Sequence, residues 1–475
     1  MRFTYARPES QGVSPRTIGR FLDLCEKEVN SLYSYVIVKG AVIASRGFYK
    51  PMEPGQIKIM HSVSKSLNAL AVGIAIGEGK LSLDDYLVDH FRDELPEKHD
   101  PRVERIQIRH MLMMAANSAY TSASFINVPT SWRAAYLGMT PYDEPGQWWH
   151  YDTGASYMLS CLVTKTMGKK TVDVLRERVF GPMGIEQVHW LEDRDGNSTG
   201  GWGCYLLPMD MAKLGRLMLN YGEWEGRQLV PAWFMRQALS KRIDNYRNPT
   251  MGWPYGYGYQ FWMYPEKCFG CFGAFGQLVI CNPEKDLYVT TTGGCTEREC
   301  QRLARIITET IIAESLNEPL PMDDVGYQEL EKRLENLTLP CAEGEAASSG
   351  ESAAFGKKYV FDANPAKIGE LTFTREDAGT LAIAMRLDGK PVTVKAGHGK
   401  WLTADVPLDT PMHTLHSFTY GWKKPDTLEL KQYLCNASYY KLYTFVFTDN
   451  KVEFTVKQNV SLYANQEERI AGSVR

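Results

Sequence analysis

The sequence predicts an α/β sandwich, an antiparallel sheet flanked by helices, followed by a small all-β domain that is either a barrel or a sandwich. Strand-like runs lie near both ends of the first domain, with helical and looped sequence between them. Beyond a segment rich in Ala, Gly, Ser and Glu, only short alternating runs follow. We therefore predict an α/β domain over residues 1–335, a linker over 336–356 and an all-β domain over 357–475.

The first elements are a helix and a hairpin. Ser14-Pro15 is a typical helix start, and apolar residues then recur on one helical face up to Val29. Residues 33–38 and 41–48 are β-branched and aromatic runs on either side of Lys39-Gly40. This pattern predicts that the antiparallel sheet begins directly after the first helix.

The middle of the chain is predicted to be helical and looped up to about residue 245. Residues 62–79 carry a single charge, Lys65, before Glu78, which is typical of a helix buried on all sides. Aromatic residues alternate from Trp253 to Phe261 and predict a strand. A second hairpin is predicted over 277–281 and 287–292, and a long helix over 297–316.

The last part of the chain alternates with the period of two that half-buried strands have. We predict strands over residues 380–386, 391–395, 427–434, 439–447 and 451–460.

Composition restricts the partners of this chain of 475 residues. Lys and Arg number 53 against 56 Asp and Glu, a formal net charge of -3, so there is no broad positive field to hold a nucleic acid. The N-terminus lacks an apolar signal-like segment, and no run is long enough to span a bilayer, so we expect a cytoplasmic protein without a membrane partner. The ten cysteines are too sparse for a disulfide scaffold and are predicted to be reduced. The sequence does not indicate an oligomeric state.

The sharpest chemical pattern is Ser62-Val63-Ser64-Lys65 at the start of the buried helix. Three residues make nearly one helical turn, so Ser62 and Lys65 share a face. Lysine can act as a base for a serine hydroxyl if its pKa falls from about 10.4 to near neutrality, which burial can cause. In the alternative interpretation the pattern arises by chance and Lys65 extends to water. The uncharged surroundings favour the functional interpretation, because a buried charge is costly and often kept for function.

Two further segments could complete a site. Tyr151 precedes an apolar helical pattern, and a phenol near a lysine can share or pass the proton that Ser62 loses, although it could also be a packing residue. Residues 268–276 have glycine at every third position, at 270, 273 and 276. Backbone that can be approached so closely suits an oxyanion hole, although it could also form only a turn.

In this order the three segments resemble the serine β-lactamase and penicillin-recognising superfamily, specifically its class C-like branch with esterases, D-amino-acid peptidases and nylon-oligomer hydrolases. The resemblance spans roughly residues 5–315, and supporting segments lie at 106–116, 180–184, 200–203, 208–212 and 282–284. It implies that Ser62 is the acylated nucleophile, Lys65 its base or proton relay and Tyr151 the partner of the leaving group.

The chain departs from that superfamily at two places. Its Tyr-x-Asn motif is Tyr151-Asp152-Thr153 here, so Thr153 replaces an amide that helps to bind a substrate carbonyl. The third motif is Cys-Phe-Gly in either of two registers, ending at Gly270 or Gly273, without the Lys or His that often grips a carboxylate or a β-lactam. The register Cys271-Phe272-Gly273 is preferred, because Gly276-Gln277 after it resembles the nylon-oligomer hydrolases. The resemblance then implies an oxyanion hole formed by the N–H groups of Ser62 and Ala274.

The sequence thus predicts a serine hydrolase that forms an acyl-enzyme with a small ester or amide, with weak or no β-lactamase activity. Thr153, Phe272 and Gly273 are candidate substrate-binding residues, and Trp149, Trp202 and Tyr259 are candidate pocket walls. The alternatives are a D-amino-acid peptidase or transpeptidase, and a non-catalytic penicillin-binding-like protein that keeps the fold.

Competing motifs have less support. Gly196 to Gly200 matches the G-x-S-x-G of lipases but follows a charged run rather than a strand. Cys268-x-x-Cys271 has no second pair at ligand spacing, and His413 and His416 are expected to be surface or hydrogen-bonded residues. We find no pattern for a phosphate-binding loop or a dinucleotide site, and we expect neither a metal nor another cofactor.

Overall fold

The computed structural model of the protein describes residues 3–29, 31–118, 120–121, 124–125, 128, 130–246, 254–408, 414–462 and 468–474. The chain divides into two compact units. The first comprises Met1–Gly47 and Ile59–Glu335, and the second comprises Phe48–Lys58 and Asn336–Arg475.

The strands of the first unit, two of which (β3 and β4) share one residue each with the second, are β1 Thr4–Tyr5, β2 Leu32–Lys39, β3 Val42–Phe48, β4 Lys58–Ile59, β5 His189–Trp190, β6 Cys204–Leu206, β7 Glu223–Trp224, β8 Arg227–Gln228, β9 Trp262–Met263, β10 Phe269–Gly273, β11 Gln277–Asn282 and β12 Leu287–Gly293. The main sheet has the order β1-β3-β2-β12-β11-β10-β9. From β2 to β9 its neighbours with a defined register are antiparallel, whereas β1 pairs with β3 in parallel. The two hairpins expected from the sequence, β2–β3 and β11–β12, are confirmed.

The helices of the first unit are α1 Pro15–Glu28, α2 Val63–Gly77, α3 Leu87–His90, α4 Ile108–Leu112, α5 Trp132–Leu137, α6 Thr153–Met167, α7 Thr171–Leu175, α8 Pro208–Leu219, α9 Ala232–Ala238, α10 Glu297–Ile307 and α11 Asp324–Glu335. Turns of 3-10 helix lie at Pro8–Gln11 and Pro101–Arg105, and π-helical turns at Arg176–Phe180 and Thr308–Ile312.

Helices cover both faces of the main sheet. On one face the ring of Phe21 in α1 lies 5.3 Å from that of Tyr35 in β2, and α1 packs against α10 and α11. On the other face α8 packs on β11 and β12, where Gly215 lets the helix approach the ring of Tyr288. Because Tyr35 and Tyr288 point to opposite sides, the sheet is the middle layer of three. The predicted α/β sandwich is confirmed.

Helix α2 is buried on every side, as its composition predicts. Its residues from Val63 to Ala75 are all buried, the polar side chains of Ser64, Lys65, Ser66 and Asn68 included. It packs mainly against α6. A helix without a solvent-facing stripe needs neighbours all round, and this one lies at the centre of the first unit.

The strand predicted from the alternating aromatic residues 253–261 is wrong. Trp253 lies outside the described residues, and 254–261 form turns with isolated bridges at Tyr257. Gly256 and Gln260 have φ angles of 105° and 67°, which an extended strand does not allow. Only Trp262–Met263, directly after the predicted run, joins the sheet.

The second unit contains one short helix and a closed barrel. Helix α12 spans Glu351–Ala354, and the strands are β13 Tyr359–Phe361, β14 Ile368–Asp377, β15 Thr380–Leu387, β16 Lys390–Gly397, β17 Leu402–Asp405, β18 Leu415–Lys424, β19 Thr427–Leu434, β20 Tyr440–Thr448, β21 Lys451–Gln458 and β22 Glu468–Val474. Their order is β16-β15-β14-β13-β22-β21-β20-β19-β18-β17, and β16 also pairs with β18 through Gly397 and Thr419. This pairing closes nine strands into a barrel and leaves β17 on its edge. Of the two predicted architectures, the barrel is the one observed.

Two chain segments accompany the barrel in the second unit. Residues 336–356, predicted as a linker, pair with strand β18 where Glu345 and Trp422 exchange backbone hydrogen bonds of 2.9 Å. Residues 48–58 pair with the chain at 337–339, through Lys50 N–H to Leu337 O at 3.0 Å and Leu339 N–H to Lys50 O at 2.8 Å. At the end of this segment the buried Lys58 Nζ donates to Tyr433 Oη and, at 2.7 Å, to Ala437 O.

Within the described ranges, no helix is both long enough and apolar enough to cross a bilayer.

Candidate active site

Ser62 and Lys65 meet at the first turn of α2. His61, with a φ of 46°, turns the chain from β4 into the helix, and Ser62 is the residue before the first helical position. Lys65 Nζ lies 3.2 Å from Ser62 Oγ, within hydrogen-bonding distance. The two side chains therefore share a helical face at the spacing that one turn allows.

Lys65 is almost completely buried, with a relative exposure of 2%, and has a second polar partner. Its Nζ donates to the carbonyl oxygen of Gly201 at 2.7 Å, and it lies 4.8 Å from the centre of the Tyr151 ring. Burial lowers the pKa of Lys65 to about 7, against a smaller opposing effect of the Asp152 carboxylate. The amine is thus neutral in a substantial fraction of molecules at neutral pH.

Tyr151 lies on the segment before α6 and turns its hydroxyl towards the serine. Its hydroxyl hydrogen bonds with Ser62, and burial raises the pKa of Tyr151, an effect that the bond to Ser62 partly opposes. The side chain is therefore a neutral phenol at physiological pH. Rings of Trp149 and Trp262 lie 6.0 and 5.9 Å from its own and hold its orientation.

Asp152, between Tyr151 and Thr153, fixes the start of α6. Its carboxylate accepts the N–H of Ala155 at 3.1 Å as the helix cap, the Tyr136 hydroxyl at 2.9 Å and the Ser118 hydroxyl. Burial raises the pKa of Asp152, and these three donors lower it. Through these three hydrogen bonds the Asp152 carboxylate anchors the segment that carries Tyr151.

The hairpin β10–β11 brings the third segment to Ser62. A Cβ added to Gly273 would lie 2.4 Å from the carbonyl oxygen of Met60 and 3.2 Å from Val63 Cγ2, so this glycine touches the entry to α2. The ring of Phe275, in the hairpin turn, packs edge-on against that of His61 at 5.0 Å. At Gly270 the close neighbour is instead Val279 O in the adjacent strand. These contacts favour the register that ends at Gly273.

The two backbone groups expected to form an oxyanion hole are the N–H groups of Ser62 and Ala274. Neither the N–H of Ser62 nor that of Ala274 donates to another group among the described residues. Ser62 and Ala274 are half-buried, and an N–H group without a protein partner can donate to the anionic oxygen of a bound substrate.

Of the candidate substrate-binding residues, all except Tyr259 lie near Ser62, Lys65 and Tyr151. Trp149 lies beside Tyr151, and the Phe272 ring lies 5.8 Å from that of Trp262. Thr153 Cγ2 would lie 2.7 Å from a Cβ on Gly201, which places this side chain beside the glycine that holds Lys65. Trp202 follows Gly201 directly.

Trp202 belongs to a second aromatic cluster. Its ring lies 5.7 Å from that of Trp132 and 6.5 Å from that of Phe125. Tyr120, which stacks on Phe125 at 5.2 Å, accepts the N–H of Thr153 on its carbonyl at 2.7 Å. Aromatic rings therefore dominate the surroundings on this side of the site.

Tyr259 does not lie beside Ser62, Lys65 and Tyr151. Its ring packs 6.0 Å from that of Phe234, which in turn fills the space over Gly73 on α2. Gly73 is eleven residues beyond Ser62, about 16 Å along the helix. Tyr259 therefore supports the middle of α2 and does not line the site at its start.

The competing motifs have structural explanations. Ser198, the serine of the lipase-like pattern, is fully buried, and its carbonyl accepts the Ser160 hydroxyl at 2.8 Å. Burial raises the pKa of Cys268 to about 11 and that of Cys271 to about 12, so both are thiols. His416 is buried and its Nδ1 lies 3.1 Å from Gln432 Nε2, while His413 lies outside the described residues.

The sequence missed three contributors to this site: the Gly201 carbonyl that holds Lys65, the Asp152 anchor and the left-handed His61. Asp152 alone left a signal, because an aspartate one residue before a helical pattern is a typical cap. No sequence pattern predicts where a backbone carbonyl will point or that a histidine will have a positive φ angle.

A comparison with known protein families assigns the chain to one of them. The family described as Beta-lactamase matches residues 16–293, more than half of the chain. The chain belongs to the beta-lactamase family.

Individual relatives of this beta-lactamase family member are distant. A D-aminopeptidase of Brucella anthropi is 29% identical over 136 residues, which cover 28% of this chain and 26% of that protein. The aligned part is thus about a quarter of that relative's length.

Solved structures extend the likeness to the fold of both units. The octameric penicillin-binding protein homologue of Pyrococcus abyssi is 15% identical with a TM-score of 0.52, covering 96% of this chain and 99% of that one. A chain from Bacillus anthracis named as a candidate 6-aminohexanoate-dimer hydrolase is 14% identical with a TM-score of 0.50, covering 70% of this beta-lactamase family chain and 86% of its own.

Proposed function

We propose that this protein is a serine esterase or amidase that hydrolyses small uncharged substrates through an acyl-enzyme on Ser62. The observation that carries the proposal is the contact of 3.2 Å between Ser62 Oγ and a buried lysine whose pKa is about 7. A serine hydroxyl is a poor nucleophile without a base, and here a base lies within reach of its proton.

Lys65 is the proposed general base and Tyr151 the proton relay. The lysine donates one hydrogen to Gly201 O, which leaves the lone pair of the neutral amine for the proton of Ser62. Tyr151 is unsuited to act as a base at neutral pH, because burial raises its pKa. As a neutral phenol it can receive a proton from Lys65 and pass its own to a leaving group.

The proposed reaction has two acyl transfers. Ser62 Oγ bonds to the substrate carbonyl carbon while its proton moves to Lys65 Nζ, and the N–H groups of Ser62 and Ala274 hold the resulting oxyanion. Collapse breaks the bond to the leaving alcohol or amine, which takes the proton through Tyr151. Water then attacks the acyl-Ser62 ester with Lys65 as base, releases the carboxylic acid and restores the serine hydroxyl.

The surroundings favour an uncharged, apolar acyl or leaving group. Phe272 stands where related enzymes often have a cation, and the Trp202 cluster carries no charge. With Thr153 in place of an amide, the contacts that would bind a β-lactam are reduced. We therefore expect turnover of aryl esters and little or no hydrolysis of a chromogenic cephalosporin.

The experiment that tests the proposal is covalent labelling with an alkyl fluorophosphonate. The wild-type protein is expected to gain the mass of one phosphonyl group in an intact-mass spectrum, and Ser62→Ala to gain none. Ser198→Ala, which alters the serine of the lipase-like motif, serves as the matched control and should label like the wild type. Retained labelling in Ser62→Ala would place the nucleophile elsewhere, and an unlabelled wild type without esterase activity would favour the non-catalytic binding protein.

A second variant tests the relay. Tyr151→Phe keeps the ring and removes the hydroxyl that contacts Ser62, and we expect kcat/KM for an aryl ester to fall by about a hundredfold. Tyr257→Phe is the control, because this buried tyrosine packs on Trp149 at 5.7 Å, and within the described part of the chain no hydrogen bond joins its hydroxyl to Ser62. Equal activity in both variants would exclude a role for the Tyr151 hydroxyl in proton transfer.

The relative named D-aminopeptidase favours a second candidate, hydrolysis of an N-terminal D-amino acid amide. The two candidates differ in the substrate's charge, since an aminopeptidase must hold an ammonium group. A D-alanine anilide hydrolysed faster than an uncharged aryl ester, judged by kcat/KM, would support the aminopeptidase.

A further inference from the structure

Gly201 lies at the middle of a loop, residues 199–203, whose two ends are fastened to one residue. The N–H of Thr199 donates to Leu191 O at 2.9 Å, and the N–H of Leu191 donates to Gly203 O at 2.9 Å. Leu191 directly follows strand β5, and Gly203 directly precedes β6, which pairs with β5. The loop is therefore closed at its base.

A tight turn inside this loop sets the direction of the Gly201 peptide. The N–H of Gly201 donates to Thr199 O at 2.6 Å, which closes a three-residue γ-turn around Gly200. Gly200 has a φ of 65°, and a Cβ there would lie 2.5 Å from Ser156 O in α6. Glycine allows both this φ and this close approach, so the turn rests directly on α6. From it the Gly201 carbonyl reaches Lys65 Nζ at 2.7 Å.

Thr199 and Trp190 hold the other side of Gly201, at the carbonyl of Trp202. The Thr199 hydroxyl donates to Trp202 O, and the indole Nε1 of Trp190 donates to the same oxygen at 2.9 Å. Both side chains are almost completely buried, with relative exposures of 2%. Thr199 thus bonds the loop on either side of Gly201, since its backbone oxygen accepts the Gly201 N–H. A peptide fixed on both sides has little freedom to rotate its own carbonyl.

We propose that Thr199 and Trp190 are positioning residues that aim the Gly201 carbonyl at the amine of the serine–lysine pair. This inference rests on the proposed function. A neutral amine has two N–H bonds and one lone pair, so an N–H held by a fixed acceptor also fixes where the lone pair points. With the carbonyl in place, the lone pair of Lys65 is available to Ser62 Oγ at 3.2 Å. If the carbonyl turned away, the amine could rotate and the lone pair would miss the serine proton.

The same hydrogen bond affects the protonation of Lys65. A carbonyl acceptor stabilises the ammonium form more than the neutral amine, because hydrogen bonds from a charged donor are stronger. Burial already lowers the pKa of Lys65 to about 7. Loss of the bond to Gly201 should therefore lower this pKa further, which a general loss of stability would not do.

Thr199→Val tests the proposal, because it removes the hydroxyl and leaves Trp190 bonded to Trp202 O. We expect the maximal kcat/KM for an aryl ester to fall about tenfold, and the midpoint of its rise with pH to move about half a unit lower. Thr199→Ser keeps the hydroxyl and should restore both values. Thr310→Val is the matched control, because Thr310 is also buried and its hydroxyl donates to Ile306 O, so only stability should change.

Trp190→Phe removes the second donor and should change the maximum and the midpoint in the same directions, which keeps the test valid if Thr199→Val does not fold. Thermal unfolding followed by circular dichroism establishes that each variant is folded. A lower kcat/KM with an unmoved midpoint, or kinetics equal to those of Thr310→Val, would overturn the positioning role and leave the proposed function standing. Fluorophosphonate labelling that persists in Ser62→Ala would overturn both.

Discussion

Replacing Lys65 with methionine is expected to lower kcat/KM for an aryl ester by a factor of about 10³ to 10⁴, the contribution of a well-placed general base. Methionine keeps the length and apolar character of the lysine stem but cannot take the Ser62 proton. The wild-type kcat/KM should rise with pH along a limb centred near pH 7, because the neutral amine is the active form and the pKa of Lys65 is about 7. The variant should lose this limb.

Measuring kcat/KM between pH 5 and 9 checks the expectation. Lys58→Met is the matched control, because burial lowers the pKa of Lys58 to about 7 as well, and its recorded partners are Tyr433 and Ala437 rather than Ser62. A limb near pH 7 that disappears in Lys58→Met and persists in Lys65→Met would assign the titration to the wrong lysine and contradict the mechanism.

Lys65→Met should also change how the free energy of unfolding depends on pH. The folded-state pKa of Lys65 is about 7 and the unfolded value about 10.4, so between these values unfolding takes up a proton. The wild-type free energy of unfolding thus rises with pH in that window by about 1.4 kcal/mol per unit for this lysine, and Lys65→Met lacks this contribution. The free energy of unfolding of Lys65→Met minus that of the wild type should therefore be larger at pH 7 than at pH 10. Urea titrations at both pH values measure the difference.

The second large effect is expected for Gly273→Ala. Its Cβ would lie 2.4 Å from Met60 O, and this carbonyl is held because it accepts the N–H of Val63 at 3.1 Å. The hairpin turn must therefore move away from α2, which displaces Ala274 N–H from the proposed oxyanion hole. Loss of one such donor, or a shift of about 1 Å, lowers kcat by about 10² to 10³. Steady-state kinetics on an aryl ester measure the effect.

Gly270→Ala separates this effect from damage to the sheet. Its Cβ would lie 1.8 Å from Val279 O in the neighbouring strand, so we expect a loss of a few kcal/mol in stability with near-normal kcat in the molecules that remain folded. Gly19→Ala in α1, where a Cβ meets nothing within 4 Å, is the neutral control. If Gly270→Ala impaired kcat more than Gly273→Ala, the other register of the third motif would be correct.

The features predictable from the sequence are those that depend on local spacing. Ser62 and Lys65 are a helical turn apart, and the uncharged run after them already indicated burial. The hairpins and most of the barrel strands followed from alternation. The arrangement between distant segments did not, because the Gly201 carbonyl reaches Lys65 across 136 residues of sequence.

The misassigned elements fail for identifiable physical reasons. The aromatic alternation at 253–261 has the period of a strand, but positive φ angles at Gly256 and Gln260 bend the chain. Strand β18 was missed because Leu415–Lys424 is buried along most of both faces, polar residues such as His416 and Thr419 included, which removes the period of two. The position of the Tyr259 ring depends on its packing against Phe234, a contact that no local sequence pattern predicts.

The placement of residues 48–58 in the second unit has a consequence for any recombination of this gene. The second unit is encoded in two separate stretches, and a cut after Glu335 would remove the partners of Lys50 and Lys58 while leaving the stretch that carries them. A barrel transplanted on its own would in turn lack residues 48–58. Exchange of the C-terminal module between homologues is therefore expected to yield well-folded chimeras only when both stretches come from the same parent.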